Sequence, residues 1–430
     1  MKHLVIGSGG REHALGWKLK QSAESEVYFL PGNGGTAELG TNVDIRPTDV
    51  LEVTDFAREL RPDLVTVGPE DPLALGLVDA LTDAGIPAFG PTAEGARLES
   101  SKVFAKELMA AHSIPTAQFK VFISRERALE YVAKSKKPLV VKADGLARGK
   151  GAIVTRDRKE ASDAVELMMG ERAFGDAGDT IIIEERLRGE EASVIAVTDG
   201  EDYVVLPPSQ DHKPVFDGDR GPNTGGMGAY CPAPLVDRQA MDHIEDVVFR
   251  RLLDGLKQKG IRYRGVLYAG LILNEKGVFV IEFNARFGDP ETQAMLPVID
   301  VDLGNLLLDA SRGSLGRTWR VGAGSWAVSV VLASGGYPGG YEKDKIITGV
   351  ERAVSHDDAE VFHAGTRRAG DGSLRTSGGR VLAVTGMGDT LRAARRVAYN
   401  SARLIRFAGA QNRRDIGVKG LARLEKLEVT

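Results

Sequence analysis

The chain has 430 residues, of which 27% are charged and 42% hydrophobic, and its 56 basic and 60 acidic side chains leave a formal charge of −4. These values exclude a disordered or fibrous chain and give no reason to expect a nucleic-acid or membrane partner. The length predicts about three domains. Because the single cysteine, Cys231, cannot form a disulfide within the chain, we expect a cytoplasmic protein. As a separate expectation, we take a monomer as the simplest assembly.

The first hundred residues alternate short apolar runs with helical patterns, which is the rhythm of a parallel sheet covered by helices. We therefore predict an N-terminal βαβ domain over residues 1–101. The predicted elements are strands at 3–6, 27–30 and 64–67 and helices at 12–20, 49–60 and 73–84.

A different pattern, richer in long strands, begins after this boundary. It predicts a second domain over 102–320 that includes a small α+β flap at about 121–192, and a third domain over 321–430. The predicted elements are helices at 102–111 and 159–169, strands at 139–142, 151–155, 180–185, 265–274, 277–284, 326–333 and 380–385, and a closing helix at about 389–407.

A glycine-rich segment at 7–14 lies directly after the first predicted strand and opens the first helix. Glycines in that position let backbone N–H groups and a helix N-terminus approach an anion. A dinucleotide fingerprint requires a glycine where Glu12 stands, so NAD is disfavoured. The segment is predicted either to bind a phosphate of another ligand or only to turn the chain.

A second glycine-rich loop follows the apolar strand that ends at Lys142 and contains Gly145, Gly149 and Gly151. The spacing differs from a Walker A loop, in which a hydroxyl residue follows the lysine and a helix begins. It favours a hairpin flap over a triphosphate, with backbone N–H groups and Lys142 countering the charge. An ordinary surface hairpin is the alternative.

The apolar strand at 180–185 runs into a short extended linker. Exposed backbone donors and acceptors there would suit the edge of an adenine, and the carboxylates of Glu190 and Glu191 could accept hydrogen bonds from ribose hydroxyls. Acidic residues that simply face water are the alternative.

A candidate metal site lies in the strand at 277–284. Glu282 and Asn284 alternate in sequence, so their side chains project from one face. A carboxylate and an amide oxygen suit Mg²⁺, which takes its remaining ligands from waters and substrate phosphates. A face turned to solvent is the alternative, but the other alternating residues are apolar and indicate a sheet covered on both sides.

Taken in order, these segments resemble the motifs of the ATP-grasp superfamily, and over the whole chain they resemble the phosphoribosylamine:glycine ligase family. The resemblance implies an α/β and α+β multidomain chain: an ATP-grasp fold with an N-terminal parallel βαβ (pre-ATP-grasp) domain and a C-terminal β-rich domain. The segments that carry it lie at 7–14, 67–70, 142–147, 209–213, 221–230, 282–292 and 378–382.

The activity that the resemblance implies is ATP-dependent ligation of glycine to 5-phosphoribosylamine, through glycyl phosphate, in de novo purine biosynthesis. ATP and Mg²⁺ or Mn²⁺ are the implied cofactors. A rival within the fold is a bicarbonate-activating ATP-grasp carboxylase. Rivals from other classes are a nicotinamide-dependent oxidoreductase and a catalytically silent nucleotide sensor.

The resemblance also implies roles for individual residues. Arg286 would stabilise the acyl phosphate step, and Glu282 and Asn284 would hold the metal. A second metal site lacks an acidic ligand on the strand at 266–273. ATP would contact Lys106, Lys142, Gly145, Gly149, Gly151, Glu184, Glu185, Leu187, Glu190 and Glu191, and the two substrates would contact Gly9, Gly10, Arg11, Glu12, Asp211, Asn223, Gly226, Met227, Asp289, Pro290, Glu291 and Thr292.

Overall fold

The computed structural model describes residues 1–146, 151–316, 318–355 and 358–429. The N-terminal elements are β1 Lys2–Gly7, α1 Gly10–Leu19, β2 Glu26–Pro31, α2 Thr36–Leu39, β3 Thr41–Asn42, α3 Val50–Leu60, β4 Leu64–Val67, α4 Glu70–Ala74, α5 Leu77–Asp83, β5 Ala88–Phe89 and α6 Ala93–Ser100. The five strands form one parallel sheet in the order β3-β2-β1-β4-β5. Because helices cover the sheet, its central strands are apolar on both faces.

Helix α7, Lys102–Ala111, leads into a separate antiparallel sheet, which we call the flap. Its elements are β6 Phe119–Phe122, α8 Arg125–Lys134, β7 Leu139–Ala143, β8 Ala152–Val154, α9 Arg158–Val165 with a π-helical continuation at Glu166–Gly170, a 3-10 turn at Gly175–Gly178 and β9 Ile181–Glu185. The strand order is β6-β9-β7-β8. The flap has its own apolar core, built only from residues between 122 and 183.

A second antiparallel sheet, which we call the central sheet, faces the flap. The elements of this part of the chain are β10 Glu190–Thr198, β11 Tyr203–Val205, β12 Gln210–Asp211, β13 Pro214–Phe216, β14 Arg220–Asn223, β15 Gly228–Cys231, α10 Arg238–Ile244, a π-helical segment Glu245–Arg250, α11 Arg251–Gln258, β16 Gly265–Asn274, β17 Gly277–Asn284, α12 Glu291–Met295, a 3-10 turn Leu296–Val298 and α13 Leu303–Arg312. The central sheet has the order β11-β10-β16-β17, while β13 and β14 form a separate hairpin.

The C-terminal part adds β18 Trp326–Ala333, α14 Val350–Ala353, β19 Ala359–His363, β20 Thr366–Arg368, β21 Leu374–Thr376, β22 Arg380–Gly388, α15 Leu391–Ala402 and α16 Val418–Val429. Its five-stranded sheet has the order β12-β15-β18-β22-β19, so two strands come from before residue 232. Among the helices of the described residues, none combines the length and apolarity that a membrane crossing needs.

Strand β17 contains a β-bulge that decides which side chains reach the cleft. Gly270 pairs with Glu282, but the next residue, Leu271, pairs with Val280, so one residue of β17 is extra. The apolar core therefore takes Val278 and Val280 before the bulge and Phe283 after it. Since a bulge changes the alternation of side chains, Ile281 and Glu282 both line the cleft.

Most predicted elements agree with the structure to within two residues, and the helix at 102–111 and the strands at 64–67, 265–274, 277–284 and 326–333 agree fully. The single helix predicted at 73–84 is wrong. Two helices, α4 and α5, are separated at Gly76, whose φ of 82° lies in the left-handed region. The closing helix predicted at about 389–407 is present as α15, but it ends at Ala402, five residues before the predicted end. A later helix, α16, was not predicted.

Candidate active site

A cleft of about 660 Å³ lies between the flap and the central sheet and extends to the N-terminal domain. Its walls come from α7, β7, the linker after β9, the β13–β14 hairpin, and the end of β17 with the turn that follows. Residues far apart in sequence therefore meet in a single cleft. Cavities of this size are typical of small-molecule and cofactor sites.

Two lysines and one glutamate form a buried charged cluster at the flap side of the cleft. Lys106 Nζ lies 3.0 Å from Glu184 Oε2, and Lys142 Nζ lies 2.9 Å from Glu184 Oε1. All three side chains are at most 4% exposed. Burial, and next the charge of Lys142, lowers the pKa of Lys106 to about 8. One positive charge remains uncompensated within this trio, which suits an anionic ligand.

The candidate metal ligands lie on the opposite wall. Glu282 and Asn284 both line the cleft, and Lys213 Nζ lies 3.4 Å from Glu282 Oε1 and 3.6 Å from Glu191 Oε2. Lys213, followed by Lys142 and Lys102, lowers the pKa of Glu282 to about 2 against the effect of burial. The Glu282 carboxylate is therefore ionised at neutral pH, as a ligand of a hard divalent cation must be.

Arg286 is held at the cleft by two carboxylates of the N-terminal domain. Its Nε lies 3.2 Å from Glu70 Oε2 and its Nη2 lies 2.9 Å from Glu99 Oε1. Glu99 also accepts a hydrogen bond from the backbone N–H of Ala285 at 2.7 Å. Fixing a guanidinium on two sides gives it one orientation, so it needs little reorganisation when charge develops nearby.

The linker between the flap and the central sheet lines one end of the cleft. Glu185, Leu187 and Glu191 are part of this lining, and the backbone N–H of Glu185 already donates to Gln118 O at 3.0 Å. Glu190 is not among the residues lining the cleft, and its carboxylate lies 2.8 Å from Arg423 Nη2 on α16. Successive residues of β10 thus point to opposite sides.

Two acidic residues meet at the far end of the cleft. Glu291, 3% exposed, accepts hydrogen bonds from Tyr268 OH at 2.7 Å and from Ser193 Oγ at 3.2 Å. Burial, and next the charge of Glu291, raises the pKa of Asp211 well above its ordinary value. Two neighbouring carboxylates in a buried site form a place where a substrate ammonium or amine would be stabilised.

The turn at 223–227 is fixed from the C-terminal domain. Arg380 Nη1 donates to Gly225 O at 2.6 Å and to Asp289 O at 2.7 Å, and it lies 3.2 Å from Asp289 Oδ1. Gly226 has a φ of 113°, and a Cβ there would lie 2.3 Å from Pro290 Cδ. Only glycine fits this turn, because both the backbone conformation and the space exclude a side chain.

The first glycine loop is occupied by a side chain of its own. Glu12 Oε2 accepts a hydrogen bond from the backbone N–H of Gly9 at 2.6 Å, and Glu12 Oε1 lies 2.5 Å from Arg11 Nε. A Cβ at Gly68 would lie 2.1 Å from Glu12 Oε1. The small residues around this loop therefore make room for a buried carboxylate. The sequence pattern predicts a ligand phosphate or a plain turn at this loop and does not include the contact made by Glu12.

The structure brings most of the predicted site residues to one cleft. Gly149 lies outside the described residues. The predicted residues that line the cleft are Lys106, Lys142, Gly145, Gly151, Glu184, Glu185, Leu187, Glu191, Asp211, Asn223, Glu282, Asn284, Arg286, Asp289 and Glu291, whereas Gly9, Gly10, Arg11, Glu12, Glu190, Gly226, Met227, Pro290 and Thr292 are not among its lining.

Sequence reasoning did not select five residues that the structure places in or directly against this site. Lys213 lies two positions after Asp211 and carries an obvious charge signal. The other four could not be found from local patterns, because their contacts join segments that are distant in sequence. They are Glu70, Glu99, Tyr268 and Arg380.

A flap whose lysine faces a carboxylate–amide pair on a second antiparallel sheet defines an ATP-grasp enzyme. The chain belongs to the phosphoribosylglycinamide synthetase family: it matches the N domain over residues 1–99, the ATP-grasp (A) domain over 100–292 and the C domain over 327–419. Members of the ATP-grasp fold bind ATP and a divalent metal ion.

Relatives agree with this assignment. The chain is 49% identical over 431 residues to the phosphoribosylamine–glycine ligase of Rhodopirellula baltica, covering 98% of each. The crystal structure of phosphoribosylamine–glycine ligase from Thermotoga maritima shares 38% identity at a TM-score of 0.83, covering 97% of this chain and 100% of that one. These matches confirm the predicted fold and the predicted class of reaction, an ATP-dependent ligase of purine biosynthesis.

The rival carboxylase activity gains no support from the solved structures. A biotin carboxylase complex from Campylobacter jejuni is similar at a TM-score of 0.73, covering 97% of this chain and 94% of that one. Its sequence is only 13% identical, and at that level the likeness shows the fold alone.

Proposed function

We propose that this chain joins glycine to 5-phosphoribosylamine at the expense of ATP, with glycyl phosphate as the intermediate. The observation that carries the proposal is the meeting of Lys106 and Lys142 with Glu282 and Asn284 across one cleft. In a chain of this family, such a cleft supplies what phosphoryl transfer to a carboxylate needs: cations that reduce the repulsion between a triphosphate and the attacking oxygen.

The nucleotide end of the cleft is assigned to the linker after the flap. Since the N–H of Glu185 is used within the flap, its carbonyl and the N–H of Leu187 are the groups proposed to meet the adenine edge. Glu191 is proposed for the ribose hydroxyls, because its carboxylate lines the cleft whereas that of Glu190 pairs with Arg423. Lys106 and Lys142 are the two cations proposed for the phosphates.

Glu282 and Asn284 fit Mg²⁺ or Mn²⁺. The two donors are hard oxygens on one cleft wall, and the described residues contain no cluster of three histidine, cysteine or acidic side chains that could hold a metal alone. A site with two protein ligands is completed by waters and substrate phosphates. When bound, the ion would neutralise phosphate charge and orient the γ-phosphate for attack.

We assign Arg286 and the acidic pair, Asp211 and Glu291, to phosphoryl transfer and substrate binding at the end of the cleft away from the linker. Arg286, fixed by Glu70 and Glu99, is proposed to stabilise the negative charge of the transferring phosphoryl group. Asp211 and Glu291 are proposed to hold the substrate amino groups. The flap, closing over the cleft, would keep water from the acyl phosphate.

Three further expectations belong to the same proposal. The remaining predicted substrate residues, in the first glycine loop, the turn at 223–227 and the segment at 289–292, are not among the cleft lining and are proposed to contact the two substrates. The enzyme is proposed to act in the cytoplasm and as a monomer. Sedimentation of the purified protein at several concentrations tests the monomer, since a mass that rises with concentration would contradict it.

The activity is tested by measuring phosphate release while each substrate is omitted in turn. We expect release only when ATP, glycine and 5-phosphoribosylamine are all present; release that is indifferent to glycine would refute the ligase. Glu282→Gln should lower the rate by roughly 100- to 1000-fold, because metal-ion charge stabilisation is worth several kcal/mol. It should also weaken Mn²⁺ binding measured with a non-hydrolysable ATP analogue.

Glu190→Gln is the matched control for that substitution. It removes the same charge from the same sheet, but from a side chain that points away from the cleft and pairs with Arg423. We expect its rate and Mn²⁺ affinity to stay within about two-fold of the parent, as for a surface ion pair. Full activity of Glu282→Gln would refute the assignment of Glu282 as a metal ligand. The ligase assignment would not be affected, because the omission assay tests it separately.

A further inference from the structure

The β13–β14 hairpin forms one wall of the cleft and is held at its tip by a segment near the C-terminus. Pro214, Asp219, Gly221 and Asn223 of the hairpin line the cleft. The segment at 413–419, which we call the C-terminal clamp, lies about 200 residues away in sequence and contacts the hairpin both at Pro214 and at its tip.

Arg413 is the centre of the C-terminal clamp. Its side chain is 0% exposed, and its Nε and Nη2 donate to the two carboxylate oxygens of Asp415, each at 2.7 Å. The remaining nitrogen, Nη1, donates to Pro214 O at 3.0 Å and lies 2.9 Å from Asp219 Oδ1. Both edges of the planar guanidinium therefore make hydrogen bonds to charged or carbonyl oxygens. This geometry fixes the orientation of the side chain in addition to pairing its charge.

Other residues of the clamp hold the same tip. Asp415 Oδ2 accepts a hydrogen bond from the backbone N–H of Gly218 at 2.8 Å. Asp217 accepts from the backbone N–H of Arg414 at 2.7 Å, and Lys419 Nζ lies 2.5 Å from Asp219. The tip therefore has little freedom to move without breaking several charge-assisted contacts, of which those of Arg413 involve a fully buried guanidinium.

The open end of the hairpin carries groups that face the substrates. Thr224 N–H donates to Lys213 O at 2.9 Å, and Met227 N–H donates to His212 O at 2.9 Å. These bonds tie the arm with Asp211 and Lys213 to the arm with Asn223. A displacement of the tip would consequently move Lys213 relative to Glu282 and Asn223 relative to the acidic pair.

We propose that Arg413 is a positioning residue: by fixing the hairpin tip, it holds Lys213 and Asn223 in the geometry that the amino-acid and amine substrates require. The inference rests on the proposed function for the identity of those substrates. The nucleotide end is formed by the flap and its linker, which do not depend on the clamp.

The test compares Arg413→Met with the parent enzyme in three measurements. KM for glycine and for 5-phosphoribosylamine should rise roughly ten- to 100-fold, since small misplacements at a site cost this much. The Kd of a non-hydrolysable ATP analogue should stay within about two-fold. Hydrogen exchange of the amides at 214–223 should accelerate, and Arg413→Lys should restore only part of the parent behaviour, because an ammonium cannot replace the bidentate fork.

Arg392→Met is the matched control, since Arg392 forms an exposed pair with Glu425 in the same C-terminal region and its guanidinium is 2.7 Å from that carboxylate. We expect it to leave all three measurements unchanged. Asp219→Asn, which weakens the clamp from the hairpin side, should give the same pattern more mildly and decides the question if Arg413→Met does not fold.

Unchanged hairpin exchange and KM in both Arg413→Met and Asp219→Asn would overturn the proposal. So would an equal loss of nucleotide affinity and substrate affinity, which would indicate a general loss of stability. Because hairpin exchange is measured without turnover, it is independent of the substrates: a parent enzyme that fails the omission assay refutes the proposed function, whereas a normal hairpin in the variants refutes the clamp.

Discussion

Lys106 carries a buried charge that destabilises the fold, and the same charge is proposed to bind ATP. It is 2% exposed, and it shares Glu184 with Lys142. Its pKa lies at about 8, below the ordinary value for lysine, because burial penalises the ammonium. The charged form therefore destabilises the folded state below pH 8, and stability contributed by this group rises as pH increases from about 8 toward the unfolded pKa.

We predict that Lys106→Met keeps or raises the unfolding temperature at pH 7 but weakens ATP binding roughly ten- to 100-fold, since hydrogen bonds to charged groups contribute about 1.5–3 kcal/mol. Thermal unfolding and titration calorimetry measure the two effects. In the parent enzyme ATP affinity should fall as pH rises past about 8, and this dependence should disappear in the variant.

Lys276→Met, in the exposed turn between β16 and β17, is the control for removing a lysine charge. It should alter neither quantity. Equal ATP affinity in the parent and in Lys106→Met would argue against a contact between this ammonium and the nucleotide.

At the scale of elements, the flap is a separate structural unit. Its core is formed by residues from its own two helices and four strands, among them Met168, which is fully buried. Lys142 Nζ also donates to Ile281 O of β17 at 3.1 Å, which joins the flap to the opposite wall. An element with its own core can loosen or close without disturbing the rest.

We predict that Met168→Ala destabilises the flap alone, by about 2–5 kcal/mol as for other large-to-small core changes. Hydrogen exchange should accelerate within residues 119–185 and ATP affinity should fall, while the main unfolding transition stays in place. Leu307→Ala, in the largest core cluster, should instead shift the main unfolding transition and leave hydrogen exchange in the flap unchanged. A shift of the main transition in Met168→Ala with unaltered flap exchange would contradict the independence of the flap.

Across the whole molecule, the three predicted domains share one interior. The largest apolar cluster contains Val5 and Phe29 from the N-terminal sheet, Tyr268 from the central sheet, and Val331 and Ala383 from the C-terminal sheet. The C-terminal sheet also includes β12 and β15, which come from the middle of the chain. The N-terminal, central and C-terminal sheets thus pack on one core, whereas the flap wall of the cleft has a core of its own.

Asn33 is a polar link between the two ends of the chain. Its Nδ2 donates to Ser8 O at 3.0 Å and to His363 O at 2.8 Å, while its Oδ1 accepts from Gly35 N–H at 2.9 Å. Asn33→Ala should lower the free energy of unfolding by about 2 kcal/mol, because several buried polar groups lose their partner.

Urea denaturation measures the effect of Asn33→Ala. Asn305→Ala, at the exposed start of α13, should change stability by less than about 0.5 kcal/mol. If both variants unfolded at the parent's urea concentration, the bond between Asn33 and the C-terminal strand would contribute nothing measurable.

Apolar periodicity and glycine placement determined the order of elements, the flap, and the meeting of Glu282 and Asn284 on one face, because these depend on neighbours within about ten residues. The domain boundaries and residue roles stay predictions. Only the tertiary structure decided that a bulge brings Ile281 and Glu282 to the same cleft and that Glu70, Arg380 and Arg413 contact Arg286, Asp289 and Pro214. Each of these contacts joins segments distant in sequence or depends on a change of register, and no local pattern encodes either.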